Sequence, residues 1–85
     1  MTDAILSRVL AIVSRVAGPG RTPPGAGPET GLGEAGYWLD SVDVLEVVLA
    51  CEHEFDILLT DTADLTRETL ASVRSLAELI GRKLR

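Results

Sequence analysis

A chain of 85 residues makes one domain, residues 1–85, close to the size at which a hydrophobic core alone just sustains a fold, and it leaves little interior for an enclosed active-site cavity. Hydrophobic residues are 46% of the chain and aromatics only 4%, so the core is built from Leu, Ile, Val and Ala, which suits packed helices better than a β-sandwich. The lone Cys51 excludes an internal disulfide and a cysteine-based zinc site, and the net charge of −5 disfavours DNA and RNA as ligands.

The first helix is predicted from Asp3 to Val16, with Thr2 or Asp3 as its cap and Ile5, Val9, Ile12, Val13 and Val16 as its apolar stripe. The run Ala4 to Val16 is broken by Ser7, Arg8, Ser14 and Arg15 and lacks a basic start, so it is neither a signal peptide nor a membrane span. A soluble, cytoplasmic protein with no membrane partner is expected. Gly18-Pro19-Gly20 stops the helix, and residues 18 to 36 hold seven of the eight glycines and all four prolines. That composition sustains neither helix nor strand. One long loop is predicted, pinned to the bundle by Leu32, Tyr37 and Leu39 and mobile around Arg21 to Gly27.

Asp40 and Ser41 then open a second helix. Their oxygens suit the unpaired N–H groups of a first turn, and the Asp40 charge suits the positive end of the helix dipole. At 100° per residue Val44, Val47, Val48, Cys51 and Phe55 fall on one stripe, predicted to be buried. Val42, Glu46, Leu49 and His53 form a second stripe roughly opposite, flanked by Asp43, Glu52 and Glu54, and this mixture of apolar and acidic side chains has the character of a docking surface. Residues 37 to 66 contain eight acids and no Lys or Arg, whereas residues 67 to 85 contain five bases and two acids. The local negative field favours partners with basic patches by steering encounter. A short helical turn is predicted at Asp61 to Leu65, capped by Thr60 or Asp61. The last helix begins at Ser72 and buries Val73, Leu76, Ala77, Ile80 and Leu84, with Arg82, Lys83 and Arg85 at its negative end. The fold class expected is all-α.

Taken alone, a serine at a helix start is usually only a cap. Ser41 and His53 do not form a nucleophile and base, because twelve residues of helix hold them about 18 Å apart. Cys51 and His53 lie about 200° apart around a helix and cannot share a metal ion. Cys51 instead reads as a small buried hydrophobe. Asp40, Ser41 and Asp43 lack the glycine turn and the terminal Glu of a calcium loop. No catalytic residue, enzyme activity or metal site is expected.

Asp40-Ser41-Val42-Asp43-Val44-Leu45-Glu46, followed by Glu52-His53-Glu54-Phe55, resembles the Asp-Ser-Leu-Asp-x-x-Glu helix and Glu-Glu-Phe ending of acyl carrier proteins. The match is close over residues 39 to 55, and the family's order of helices and loops runs the whole chain. The resemblance implies a four-helix bundle with a long first loop and a short third helix. It implies 4'-phosphopantetheine, derived from coenzyme A, on Ser41 as the holder of acyl thioesters. A phosphopantetheinyl transferase would install it with Mg²⁺, with Asp40 helping at the transfer site. Val42, Asp43, Glu46 and Leu49 would contact the transferase and later acyl- or aminoacyl-loading ligase, ketosynthase or acyltransferase enzymes. His53 stands where the family often has an acid, and either tunes partner choice or is a neutral surface residue. Two departures stand out: Trp38, where a small residue such as Gly is common and for which core anchoring is expected, and Val42 in place of leucine. Together with seven Arg against one Lys, they point away from a housekeeping fatty-acid carrier, towards a polyketide-like or aminoacyl-loading pathway. The start at Met1 and the absence of flanking linkers lead to the expectation of a discrete carrier, and a monomer is expected. The rival from another class is an unmodified helical adaptor whose acidic second helix binds one basic-patched partner.

Overall fold

The computed structural model describes residues 2–33, 36–59 and 65–84. They form three helices, α1 (Thr2–Ala17), α2 (Ser41–Phe55) and α3 (Val73–Lys83), and the only extended pairing among them is an isolated antiparallel bridge between Gly31 and Ser72. The chain is therefore all-α. Four helices were expected, and the described residues hold three. The predicted turn at Asp61 to Leu65, with its caps Thr60 and Asp61, falls almost wholly on residues 60–64, which lie outside the described set. Just beyond it, Thr66 and Thr69 cap each other through their hydroxyls, and the Leu70 N–H donates to the Thr66 carbonyl at 3.0 Å. This is a single helical turn, too short to count as a helix.

α1 packs against both α2 and α3, and its inward face is Leu6, Val9, Ile12, Val13 and Ala17. Ile5 and Val16, placed in the stripe on sequence grounds, are only partly buried. The helix phase is rotated slightly from the expected one, because Leu6 and Ala17 share the Val9–Val13 side at spacings of 3 and 4. α1 begins at Thr2, so Thr2 and Asp3 lie within the helix, not in front of it. α3 starts as predicted: the Ser72 hydroxyl accepts the Ser75 N–H at 3.2 Å, and Ser75 Oγ accepts the Ser72 N–H at 2.9 Å. It buries Val73, Leu76, Ala77, Leu79 and Ile80. Leu84 is exposed, contrary to expectation, because the helix ends at Lys83 and releases the chain.

The glycine- and proline-rich segment is fastened at several points. The Leu32 N–H donates to Ala71 O at 3.1 Å and the Val73 N–H to Thr30 O at 3.2 Å, which clamps the loop to the start of α3. Leu32, Tyr37 and Leu39 are buried, as their apolar character predicted, and the Tyr37 hydroxyl lies 3.0 Å from Ser14 Oγ on α1. Gly36 has to be glycine: a Cβ there would sit 2.2 Å from the Gly31 carbonyl oxygen and 2.9 Å from its nitrogen, both backbone atoms that cannot step aside. The segment from Arg21 also has an anchor. Arg21 Nε donates to the Ala17 carbonyl at 3.1 Å and the guanidinium reaches across to α2. Composition alone carries no sign of that long-range pair.

Candidate functional site

The first turn of α2 is held by a reciprocal cap. Asp40 is the N-cap residue, its Oδ1 accepts the Asp43 N–H at 2.8 Å, and Asp43 Oδ2 accepts the Asp40 N–H at 3.3 Å. Two otherwise unpaired donors are satisfied in this way, which fixes where the helix begins. Ser41 is the first helical residue. It is exposed, and no described residue hydrogen-bonds its hydroxyl. Of the two candidate caps, Asp40 performs the capping, and Ser41 stands beside the positive end of the helix dipole with its oxygen uncommitted.

Along α2 the acidic side chains divide into two groups. Arg21 Nη1 lies 2.5 Å from Asp43 Oδ2, and this hydrogen bond, followed by the Asp40 N–H, holds the Asp43 carboxyl below its ordinary value. Asp43 is thus occupied inside the molecule. Glu52 is occupied too, accepting the Leu59 N–H at 2.7 Å. Glu54 pairs with Arg8 of α1 at 2.8 Å, and the same guanidinium lies 4.3 Å above the Phe55 ring and donates to the Glu54 carbonyl at 3.0 Å. A cation on the last carbonyls of α2 suits its negative end. Among the five residues read as partner-facing, Val42, Glu46, Leu49 and His53 are exposed, whereas Asp43 is half-buried and engaged. The predicted docking stripe is less acidic than its composition implied.

It is also more apolar. Val42 is 62% exposed, Leu45 56% and Leu49 54%, and their spacing of 3 and 4 puts them on one outward strip. Leu45 was missed as a surface residue. Its step of three from Val42 was the available signal, masked by the number of apolar residues in the helix. The buried face fell where the periodicity placed it: Val47, Val48, Cys51 and Phe55 are buried, with Val44 at the edge. Cys51 has no exposed surface, and burial pushes its thiol pKa up to about 12, with Glu54 adding to the effect. His53 points outward on the same helix, so the two cannot meet. Among the described residues no three His, Cys, Asp or Glu side chains converge as metal ligands would.

Core anchoring was expected of both Tyr37 and Trp38, and only Tyr37 provides it. Tyr37 is the core anchor, and Trp38 is 65% exposed. The cause is the backbone: Trp38 has φ +59°, the left-handed region that glycine enters freely and that costs a bulky residue about 1–2 kcal/mol. The N–H groups of Tyr37, Trp38 and Leu39 donate to the carbonyls of Gly31, Gly33 and Leu32 at 3.0, 2.9 and 2.9 Å. With both neighbours buried, the turn sends the indole outward.

Comparison with known proteins yields no matching family model, no matching curated protein and no matching solved structure. No helix among the described residues is long and apolar enough to cross a membrane.

Proposed function

We propose that this chain is an acyl carrier protein of the cytoplasm that carries 4'-phosphopantetheine on Ser41. The observation that supports it most is the division of labour at the start of α2. Asp40 and Asp43 close the cap between themselves, which leaves an exposed hydroxyl at the first helical position with no structural duty. A phosphodiester formed there would lie beside exposed N–H groups and a favourable dipole, not against a low-dielectric wall. The residues present therefore fit the group. When bound, its thiol supplies the thioester on which acyl cargo is held, and selection of that cargo belongs to partner enzymes. Asp40 keeps a second carboxylate oxygen free of the cap, available at the transfer site. Val42, Leu45 and Leu49, with Glu46 beside them, offer the apolar strip and the free charge that a modifying enzyme and later acyl-transferring enzymes would grip. A discrete polyketide-like, aminoacyl-loading or fatty-acid-type pathway is the setting we favour.

The exposed apolar strip also suits an unmodified adaptor that binds one partner through α2. Intact mass separates the two. Incubation with coenzyme A, Mg²⁺ and a phosphopantetheinyl transferase is expected to add about 340 Da, a mass set by the cofactor, and Ser41→Ala is expected to abolish the gain. Because Asp40 is the cap, Ser41→Ala should leave stability nearly unchanged, whereas Asp40→Ala should cost about 1 kcal/mol. A Ser41→Ala protein that still gains the mass would move the attachment elsewhere, and a wild-type protein that never gains it would favour the adaptor.

A further inference from the structure

We propose that Trp38, with Val42 and Leu45, forms an external shelf for the apolar acyl group carried on the Ser41 arm, an inference that rests on the carrier reading above. The indole is exposed because the fold holds it out. Its two neighbours are buried and the N–H groups of residues 37, 38 and 39 are all hydrogen-bonded, so the left-handed backbone at φ +59° is fixed from both sides. Glycine would take that conformation without steric cost, so the fold itself gains nothing from a tryptophan there. Strained, bulky, solvent-facing residues of this kind point to a contact outside the folded core.

Placement identifies the occupant. Trp38 stands three residues before Ser41, Val42 directly follows it, and Leu45 lies one helical turn further on Ser41's own side of α2. A chain tethered at Ser41 meets these surfaces at the effective concentration of a short flexible linker, in the millimolar range. The core side chains, by contrast, are closed to solvent. Val9, Val13, Tyr37, Val47, Cys51 and Ile80 each have 0% exposure, and a chain entering between them would have to part close-packed side chains. An apolar acyl group therefore lies against the outside of the bundle, and the indole face favours aromatic or extended aliphatic cargo over acetyl-sized groups.

Trp38 is the chain's single tryptophan, so selective indole excitation reports on this residue alone. The full chain is loaded by a phosphopantetheinyl transferase from coenzyme A, acetyl-, octanoyl- and benzoyl-coenzyme A. Each product is confirmed by intact mass, and the transferase is removed. The unmodified, free-thiol and acetyl forms are expected to emit alike. The octanoyl and benzoyl forms should shift to shorter wavelength and lose acrylamide quenching, with the quenching constant about halved if the shelf is about half occupied. Trp38→Gly should fold with an undiminished Tm, and a marked loss would make the indole structural and overturn the proposal. Equal emission and quenching in the acetyl and octanoyl forms, at confirmed mass, would overturn the shelf while leaving the carrier intact. A blue shift seen only after adding a partner enzyme would assign Trp38 to docking and likewise overturn it. No mass gain with any donor would overturn the carrier and the shelf together.

Discussion

α2 and α3 are both short helices packed on α1, yet they distribute apolar side chains differently. α3 turns Val73, Leu76, Ala77, Leu79 and Ile80 inward and leaves Glu78 and Arg82 exposed, the one-sided pattern of a helix whose only task is to cover a core. α2 buries Val47, Val48, Cys51 and Phe55 and also presents Val42, Leu45 and Leu49 to solvent. Burial explains the first set and leaves the second unexplained. Apolar side chains kept in water along one strip, beside a cap that spares Ser41, set the outer face of α2 apart from a helix that only covers a core. The contrast makes a stability prediction. Leu76→Ala in α3 should cost about 2–5 kcal/mol, whereas Leu49→Ala on the outer strip should stay within about 0.5 kcal/mol, both read from urea unfolding midpoints. A Leu49→Ala loss approaching that of Leu76→Ala would mean that the outer strip belongs to the fold after all.

The same contrast shows what could be read from the residues alone. The inner face of α2 was legible because a 3.6-residue period survives in Val44, Val47, Val48, Cys51 and Phe55, and the start of α3 was legible because Ser72 has few other reasons to precede that stripe. The inward Tyr37 was legible, whereas the outward Trp38 was not. Which of two adjacent aromatics faces inward depends on a left-handed backbone at residue 38, and that in turn depends on carbonyls of Gly31, Leu32 and Gly33 across the loop. The engagement of Asp43 was also hidden, because its partner Arg21 lies 22 residues earlier in a segment whose composition signals only a loop. At the site, Ser41 and Asp40 were visible as a pair, but their division of labour follows from side-chain geometry that either residue type satisfies equally well.

Cys51 sharpens the comparison from the inner side of α2. Its thiol is pushed from an ordinary 9.0 up to about 12, chiefly by burial, so the folded state holds the proton more tightly than the unfolded chain. The stability this represents is complete below pH 9 and is lost as pH rises from 9 towards 12, at a limiting slope of about 1.4 kcal/mol per pH unit. Cys51→Ala should remove that part of the alkaline decline, and the difference between the two unfolding curves isolates it. Native, unmodified protein should resist alkylation, and the arm-bearing form should show one fast thiol and a second only in denaturant. Rapid alkylation of Cys51 in the native protein would invert the assignment of the two faces.

The smallest effects separate two acids that look equivalent in the sequence. Glu46 is exposed one helical turn from Asp43, while Asp43 is held by the Asp40 N–H and by Arg21. Glu46→Lys should therefore leave the Tm unchanged, slow transferase-dependent mass gain at low ionic strength, and lose that difference as salt screens the encounter. Asp43→Lys should act differently, because it removes one half of the cap and sets a cation against Arg21. Helix entry loosens, and added salt should not restore the rate. The pH signature follows the same division. The Asp43 carboxyl is held low by Arg21, so its contribution to stability is present above the ordinary carboxylate value and is lost only as pH falls through its lowered folded value. Asp43→Asn should remove that acid-limb dependence. Combining Glu46→Lys with Asp43→Lys should then give the kinetic defect of the first and the structural defect of the second. If Glu46→Lys modifies at the wild-type rate in low salt, the charge on the outer face of α2 is merely solvated, and the apolar strip of Val42, Leu45 and Leu49 carries the encounter alone.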